Sequence, residues 1–342
     1  MFRLENMVRP NILSLQAYSS ARDEYHGSEG IFLDANENPF GTLNRYPDPH
    51  QQSLKEAISR LKEIPVENIF IGNGSDEVID LALRIFCSPG KDKTIVCPPT
   101  YGMYEVMAHI NDSSIIRVPL TINFQLDVAG ILRVASQEEN VKMIFLCSPN
   151  NPTGNNMDAL EELIQNFAGI VFLDEAYIDF SAKPTLIHQL SEFPNLIVSQ
   201  TLSKAWGLAG ARIGMAFAGR EIISLFDKTK PPYNISQINQ EAALDILSQE
   251  ELFKKNKTLI LLEKEKLMTR LSVLSFVRKI YPSDTNFLLV EMEDADRIYH
   301  GLLQQQIITR NRSREVAGCL RITIGTPEEN IRLIQTLEQL PL

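Results

Sequence analysis

Over residues 53–64 the apolar Leu54, Ala57, Ile58 and Leu61 recur at the spacing of one helical face. A short apolar run follows at 68–71, then a glycine-rich turn and a second helical pattern over 78–86. Four further runs, 94–97, 142–147, 169–173 and 196–199, are continuous rather than alternating. Such runs fit strands buried on both faces of a parallel sheet. Between two of them, Leu160, Leu163, Ile164 and Phe167 share one helical face within 157–167. Strand and helix taking turns predicts an α/β domain with a largely parallel sheet.

The last third reads differently. A long, charged amphipathic stretch over 251–276 carries Leu267, Leu271 and Leu274 on one face and predicts a connecting helix. Two short strands follow, 285–290 and 319–324. In the second, Leu320, Ile322 and Ile324 alternate with Arg321 and Thr323, which sets Arg321 on the face opposite the core. The division this predicts is a large ligand-binding domain over 36–240 and a smaller α+β domain over 241–342, with 1–35 as an N-terminal arm belonging to the latter.

Charge narrows the partners. The 342 residues hold 43 Asp and Glu against 33 Lys and Arg, a formal net charge of −10. A general nucleic-acid binder needs a cationic face, so that class is excluded. A small anionic ligand held by a few local arginines is not. No apolar run approaches the roughly 18 residues of a membrane helix, and residues 1–9 lack the apolar core of a secretory signal. Cys87, Cys97, Cys147 and Cys319 form no Cys-x-x-Cys pair and read as buried thiols of a cytoplasmic protein. The five histidines show no metal-ligand spacing, so no metal is expected.

Several turns carry candidate chemistry. Residues 72–77 nearly match the dinucleotide fingerprint, but Glu77 stands where its third glycine belongs. Gly74, Ser75 and Asp76 there could form an anion cradle at a helix N-terminus, or an ordinary joint capped by Ser75. The proline-rich turn 148–154 and the Asp174–Tyr177 tetrad each follow a strand, at the edge where open α/β sheets place ligands. Lys204 sits among hydroxyls and small residues, and a partly desolvated lysine can act as a nucleophilic amine. Arg212, eight residues on, is a fixed cation suited to phosphate. Each of these turns, taken singly, also has a purely structural reading.

Their order is what identifies them. Gly74-Ser75-Asp76, Pro99-Thr100-Tyr101, Asn151-Pro152-Thr153-Gly154, Asp174-Glu175-Ala176-Tyr177, Ser203-Lys204 and Arg321-Ile322-Thr323-Ile324-Gly325 occur in that sequence. Together they resemble the fold-type-I aminotransferases that use pyridoxal 5'-phosphate. The stretch 201–212, with 15–22, 35–39, 45–48 and 318–321, is similar to the histidinol-phosphate aminotransferase branch. The resemblance runs from about residue 15 to 324. It departs at the compact charged connection 311–317 and at Trp206, where many members have Phe.

The resemblance implies a large domain with a mostly parallel seven-stranded sheet flanked by helices, plus a smaller α+β domain. It implies that Lys204 carries pyridoxal phosphate as a Schiff base and that Asp174 faces the pyridine nitrogen. Gly74, Ser75, Asp76, Thr201, Ser203 and Arg212 would hold the phosphate, and Tyr101 would stack on the ring. Asn151 and Tyr177 would bond the ring's phenolic oxygen. Lys204, Asp174 and Tyr177 are thus the implied catalytic set. Tyr46 would reach the phosphate from a partner subunit, implying a homodimer with shared sites. Arg321 would hold a substrate carboxylate or, in this branch, meet the phosphate of histidinol phosphate, Arg310 would supply a second cation, and Tyr18 and Asn36 would line the mouth. Arg312 and Arg314 lie close enough to Arg310 that any of the three could turn inward.

The implied reaction exchanges an amino group between histidinol phosphate and 2-oxoglutarate or glutamate, in histidine biosynthesis. Its rivals are an aromatic-amino-acid aminotransferase, a threonine-phosphate decarboxylase of the same fold, and a catalytically silent pyridoxal-phosphate-binding regulator. Intact Lys204, Asp174 and Arg321 weigh against the last. A nicotinamide dehydrogenase fails on Glu77 and gives Lys204 no role.

Overall fold

The apolar runs become the strands of one sheet in the computed structural model, which describes residues 2–18 and 30–340. Arg22, within the resemblance above, lies outside those residues. The strands are β1 (Ile69–Asn73), β2 (Lys93–Val96), β3 (Ser114–Arg117), β4 (Val141–Cys147), β5 (Ile170–Asp174), β6 (Leu196–Thr201) and β7 (Ile213–Ala218). They lie in the order β1-β7-β6-β5-β4-β2-β3. Neighbours from β6 to β3 pair in parallel, whereas β7 runs antiparallel to both β6 and β1.

Alternation along the buried strands feeds two cores. In β5, Val171 and Leu173 pack on one face with Leu54, Ile58, Leu163 and Phe217. Ile170 and Phe172 pack on the other with Val78, Phe86, Tyr104 and Phe226. Burying a side chain of this size contributes about 1.5–3 kcal/mol, so a polar residue at any of these positions would be destabilising. The parallel strands therefore present one common edge, at their C-terminal ends, to whatever binds there.

A second, four-stranded antiparallel sheet follows, from β8 (Val277–Ile280), β9 (Phe287–Met292), β10 (Arg310–Asn311) and β11 (Cys319–Thr323), in the order β10-β11-β9-β8. Leu288, Val290, Leu320 and Ile322 bury against Leu267, Leu271, Ile298 and Leu333 of its helices. Arg321 is partly exposed between buried Leu320 and Ile322, on the opposite face, as the alternation requires. Phe287 packs instead with Tyr177, Phe180 and Ala205 and so joins the two sheets.

Three readings from sequence need correction. The helix expected over 251–276 spans Glu250–Leu271, and Leu274 and Phe276 pack on the small core beyond its end. The helix expected over 157–167 is Leu160–Asn166, preceded by Ala159 in a left-handed conformation. Ser75 does not cap the Ser75–Phe86 helix but opens it. Gly74 takes the capping position at φ 77°, where a glycine avoids the Cβ penalty.

Candidate active site

The ends of β1, β4, β5 and β6 bring the chemistry-bearing turns around one cavity of about 190 Å³, with Arg321 of the small sheet on its rim. Ser75, Asp76, Tyr101, Asn151, Asp174, Tyr177, Thr201, Ser203, Lys204 and Arg212 all line it.

One corner is built from two distant segments. The helix opening at Ser75 points its first backbone N–H groups outward, where a helix N-terminus favours an anion. Arg212, itself left-handed at φ 54°, brings its guanidinium to the same place, 3.7 Å from Asp76. The approach is close enough that a Cβ on Gly74 would stand 2.5 Å from Arg212 Nη2. A Cβ on Gly214 would come within 2.3 Å of the Gly74–Ser75 backbone. Gly214 is therefore fixed by close approach to backbone, and Gly74 by its positive φ, with Arg212's guanidinium the group a side chain there would displace. Thr201 Oγ1 accepts from Ser203 N at 3.1 Å and donates to Ile213 O at 3.1 Å, which ties the Lys204 turn to β7. Glu77 accepts from Asn73 N and from Asn234 Nδ2, so its carboxylate locks the turn that a third glycine would have left open.

In the middle stand an amine and a carboxylate. Asp174 is buried and takes two neutral donors, Tyr104 Oη on Oδ2 at 2.7 Å and Ala176 N on Oδ1 at 3.0 Å. Burial pushes its carboxyl up from the usual range, while those donors and the Lys204 charge pull it back. The Lys204 amine is pushed below its ordinary value, first by desolvation and then by the charges of Arg321 and Arg212, against Asp174 and Asp76. Its Nζ lies 5.6 Å from the centre of the Tyr177 ring. The Tyr177 hydroxyl is pushed up by burial and eased by Arg321. Tyr101 donates to Asp76 at 3.2 Å, which sets its ring along the wall.

At the opposite end Arg321 Nη1 donates to Asn151 Oδ1 at 2.5 Å, and its guanidinium sits 5.2 Å over the Phe287 ring. Asn150, one residue earlier, bonds Pro99 O, Thr100 and Thr153, and this fixes the turn that presents Asn151.

Four expected residues stand apart from the cavity wall. Tyr18 and Arg310 are exposed, Asn36 is left-handed at φ 55°, and Tyr46 stacks on Tyr233 at 4.4 Å. Gly74 lies just behind the wall, against Arg212. Of the three arginines that compete, Arg310 pairs directly opposite Arg321 across β10 and β11. Arg312 is the one turned inward. It is buried, with its Nε unpartnered and its Nη1 3.3 Å from Glu315.

Two lining residues escape sequence reasoning, Cys147 at the end of β4 and Ala176. So does Tyr104, buried behind the cavity and joined to Asp174. Its one signal in sequence is its place three residues after Tyr101.

These groups fit pyridoxal phosphate. There is an amine for its aldehyde, a buried carboxylate with neutral donors for its ring nitrogen, an aromatic face for its ring, and a cation beside a helix N-terminus for its phosphate. Among the described residues no cluster could hold a metal ion, and no helix is long and apolar enough to cross a membrane.

Residues 20–337 match the family model described as aminotransferase class I and II. The chain is 51% identical over 344 residues to a histidinol-phosphate aminotransferase of Parabacteroides distasonis, with 99% of each covered. It is 50% identical over 346 residues to one from Cytophaga hutchinsonii, covering 98% of this chain and 99% of that one. It also resembles the crystal structure of histidinol-phosphate aminotransferase from Sinorhizobium meliloti in complex with pyridoxal-5'-phosphate. The TM-score there is 0.78 at 26% identity, over 89% of this chain and 90% of that one.

Proposed function

The chain belongs to the class I and II aminotransferase family, and from that premise we propose that it exchanges an amino group between histidinol phosphate and 2-oxoglutarate or glutamate. The reaction uses pyridoxal 5'-phosphate and is a step of histidine biosynthesis. The observation that carries this reading is a single cavity with an amine and a buried carboxylate in its middle, Arg212 at one end and Arg321 at the other. Near full-length identity to named histidinol-phosphate aminotransferases supports the substrate.

When bound, pyridoxal phosphate supplies an electron sink for the carbon that loses its proton. The rest falls to the chain. Arg212, Ser75, Asp76, Thr201 and Ser203 around Gly74 hold the phosphate, with the helix dipole contributing about 0.3–1 kcal/mol. Tyr101 flanks the ring. Asp174 holds a proton at the ring nitrogen, a role its two neutral donors favour by stabilising the carboxylate against the effect of burial. Asn151 and Tyr177 bond the phenolic oxygen. Lys204 Nζ, whose proton is disfavoured by desolvation and two nearby cations, moves the proton at the substrate's α-carbon. Arg321 receives the carboxylate of glutamate, a task its planar fork suits. Arg310, opposite Arg321 across β10 and β11, receives the phosphate of histidinol phosphate, with the buried Arg312 its rival, while Tyr18 and Asn36 stand apart from the cavity.

We take the enzyme to be a homodimer with shared sites. Ile31, Leu33, Phe40 and Leu43 are all exposed within one short segment, the kind of apolar surface a second copy covers. Tyr46 follows that segment and does not line its own cavity, which supports its reaching the partner's. The two sheets with separate cores support a cofactor domain over 36–240 and a small domain over 241–342. Val8 and Ile12 pack in the large core, so the described part of the arm 1–35 lies with the large domain and not, as expected, with the small one. Four free, buried thiols support a cytoplasmic setting.

Purified protein with pyridoxal phosphate is expected to form glutamate from histidinol phosphate and 2-oxoglutarate. Inertness toward that pair with rapid turnover of phenylalanine or tyrosine would make it an aromatic-amino-acid aminotransferase. Carbon dioxide released from threonine phosphate would make it the decarboxylase.

A further inference from the structure

Tyr104 is fully buried, and a tyrosine serving only to pack could be phenylalanine without loss. Its hydroxyl instead donates to Asp174 Oδ2 at 2.7 Å, beside the Cys147 thiol. Asp174 Oδ1 takes the Ala176 N–H, so each carboxylate oxygen has one donor and neither can rotate away without losing it. The Tyr104 ring is clamped as well. It stacks on Phe145 at 5.0 Å and 5°, and meets Tyr101 edge-on at 5.5 Å and 86°. Phe145 belongs to β4 and Asp174 ends β5, whose register puts Cys147 opposite Asp174. The hydroxyl is therefore aimed by the sheet itself and does not depend on a mobile loop.

We infer that Tyr104 is a positioning residue of the reaction, whose hydroxyl keeps Asp174 ionised and turned toward the ring nitrogen of the bound cofactor. The inference rests on the assignment of Asp174 to that nitrogen. Burial alone favours the neutral acid, and a hydrogen bond to the charged form opposes it. A neutral Asp174 could not hold a proton on the ring, and the electron sink would weaken. Tyr101, on the cavity wall just before the helix Met103–Ile110, and Tyr104, behind it in that helix's first turn, thus divide two tasks. The first lies along the ring and the second governs its charge.

The test is Tyr104→Phe, which keeps the ring and its stacking. Apoprotein is loaded with pyridoxal phosphate carrying ¹⁵N in the ring, and the nitrogen resonance is read before any substrate is added. The variant's resonance is expected to move from the protonated toward the unprotonated range. Loss of a hydrogen bond to a charged group predicts a fall of about tenfold or more in kcat for both half-reactions, with KM within about twofold. In an Asp174→Asn background the same change is expected to cost nothing further. An unmoved resonance, or a loss that adds fully to that of Asp174→Asn, would reduce Tyr104 to packing. The resonance is read without amine substrate, so failure with histidinol phosphate would overturn the substrate assignment and leave this inference standing.

Discussion

Arg321 of the small sheet donates to Asn151, in the turn that follows β4 of the large one, across 2.5 Å, a bond between residues 170 apart in the chain. The bond joins the group proposed for the substrate carboxylate to the group proposed for the cofactor's phenolic oxygen. Lysine at 321 keeps the charge but loses the planar fork that serves both. Arg321→Lys is expected to raise KM for glutamate and 2-oxoglutarate about 10- to 100-fold, on the order of one charge-assisted bond. Steady-state kinetics checks this, and unchanged KM for both would remove Arg321 from the substrate site.

Asp174→Ala is expected to leave a folded protein with very little transamination. The site is buried, so the lost carboxylate leaves the Tyr104 hydroxyl and the Ala176 N–H without their acceptor. Circular dichroism together with single-turnover kinetics separates folding from catalysis. A rate near that of the unaltered enzyme would sink the role given to this residue.

The Lys204 amine should be neutral at lower pH than an ordinary lysine, because desolvation and the charges of Arg321 and Arg212 all disfavour its proton. Covalent capture of pyridoxal phosphate by apoprotein, trapped with borohydride, should rise with pH and reach its midpoint below the ordinary 10.5. Removing a positive neighbour favours the protonated amine. The midpoint should therefore move up in Arg321→Gln, and a midpoint that stays or falls would contradict the electrostatic account.

Gly74→Ala forces an L side chain into φ 77° and sets its Cβ 2.5 Å from Arg212 Nη2. The conformation costs about 1–2 kcal/mol, and displacing the guanidinium should weaken pyridoxal phosphate binding about tenfold. Gly102→Ala is the control, with φ −64° and nothing within 4 Å of its Cβ. Equilibrium titration of the two apoproteins is expected to show the loss in the first alone.

Arg310 and Arg321 face each other across two strands, an arrangement that repels unless an anion sits between them. Arg312 is buried against Glu315. Arg310→Gln should therefore raise KM for histidinol phosphate about tenfold while leaving KM for glutamate within about twofold. Arg312→Gln should lower thermal stability and leave both KM values alone. The reverse pattern would transfer the phosphate to Arg312.

Much of the large sheet is legible because β4, β5 and β6 are buried on both faces and read as unbroken apolar runs. Each chemical turn follows such a strand directly, so Asp174 and Lys204 could be placed at one edge before any coordinates. β3 was not legible, since Ser114–Arg117 is an edge strand with half-exposed residues and no clear period. The choice between Arg310 and Arg312 depends on how the two-residue β10 pairs with β11, which periodicity does not report. Tyr104 was hidden for another reason, since its partner lies 70 residues away and the contact exists only once helix and sheet have packed.

The anion-holding corner also bears on how the molecule comes off the ribosome. Its helix N-terminus follows β1, its arginine precedes β7, and the two meet only when these strands zip together at positions such as Gly72 and Gly214. β7 is the last strand of that sheet to be made. A chain still missing it lacks the pairing that brings Arg212 to the helix opening at Ser75, and a ligand that binds the finished fold more tightly draws the population toward it. Loading with pyridoxal phosphate then doubles as an inspection step, and the protein that carries it is protein whose large sheet has closed.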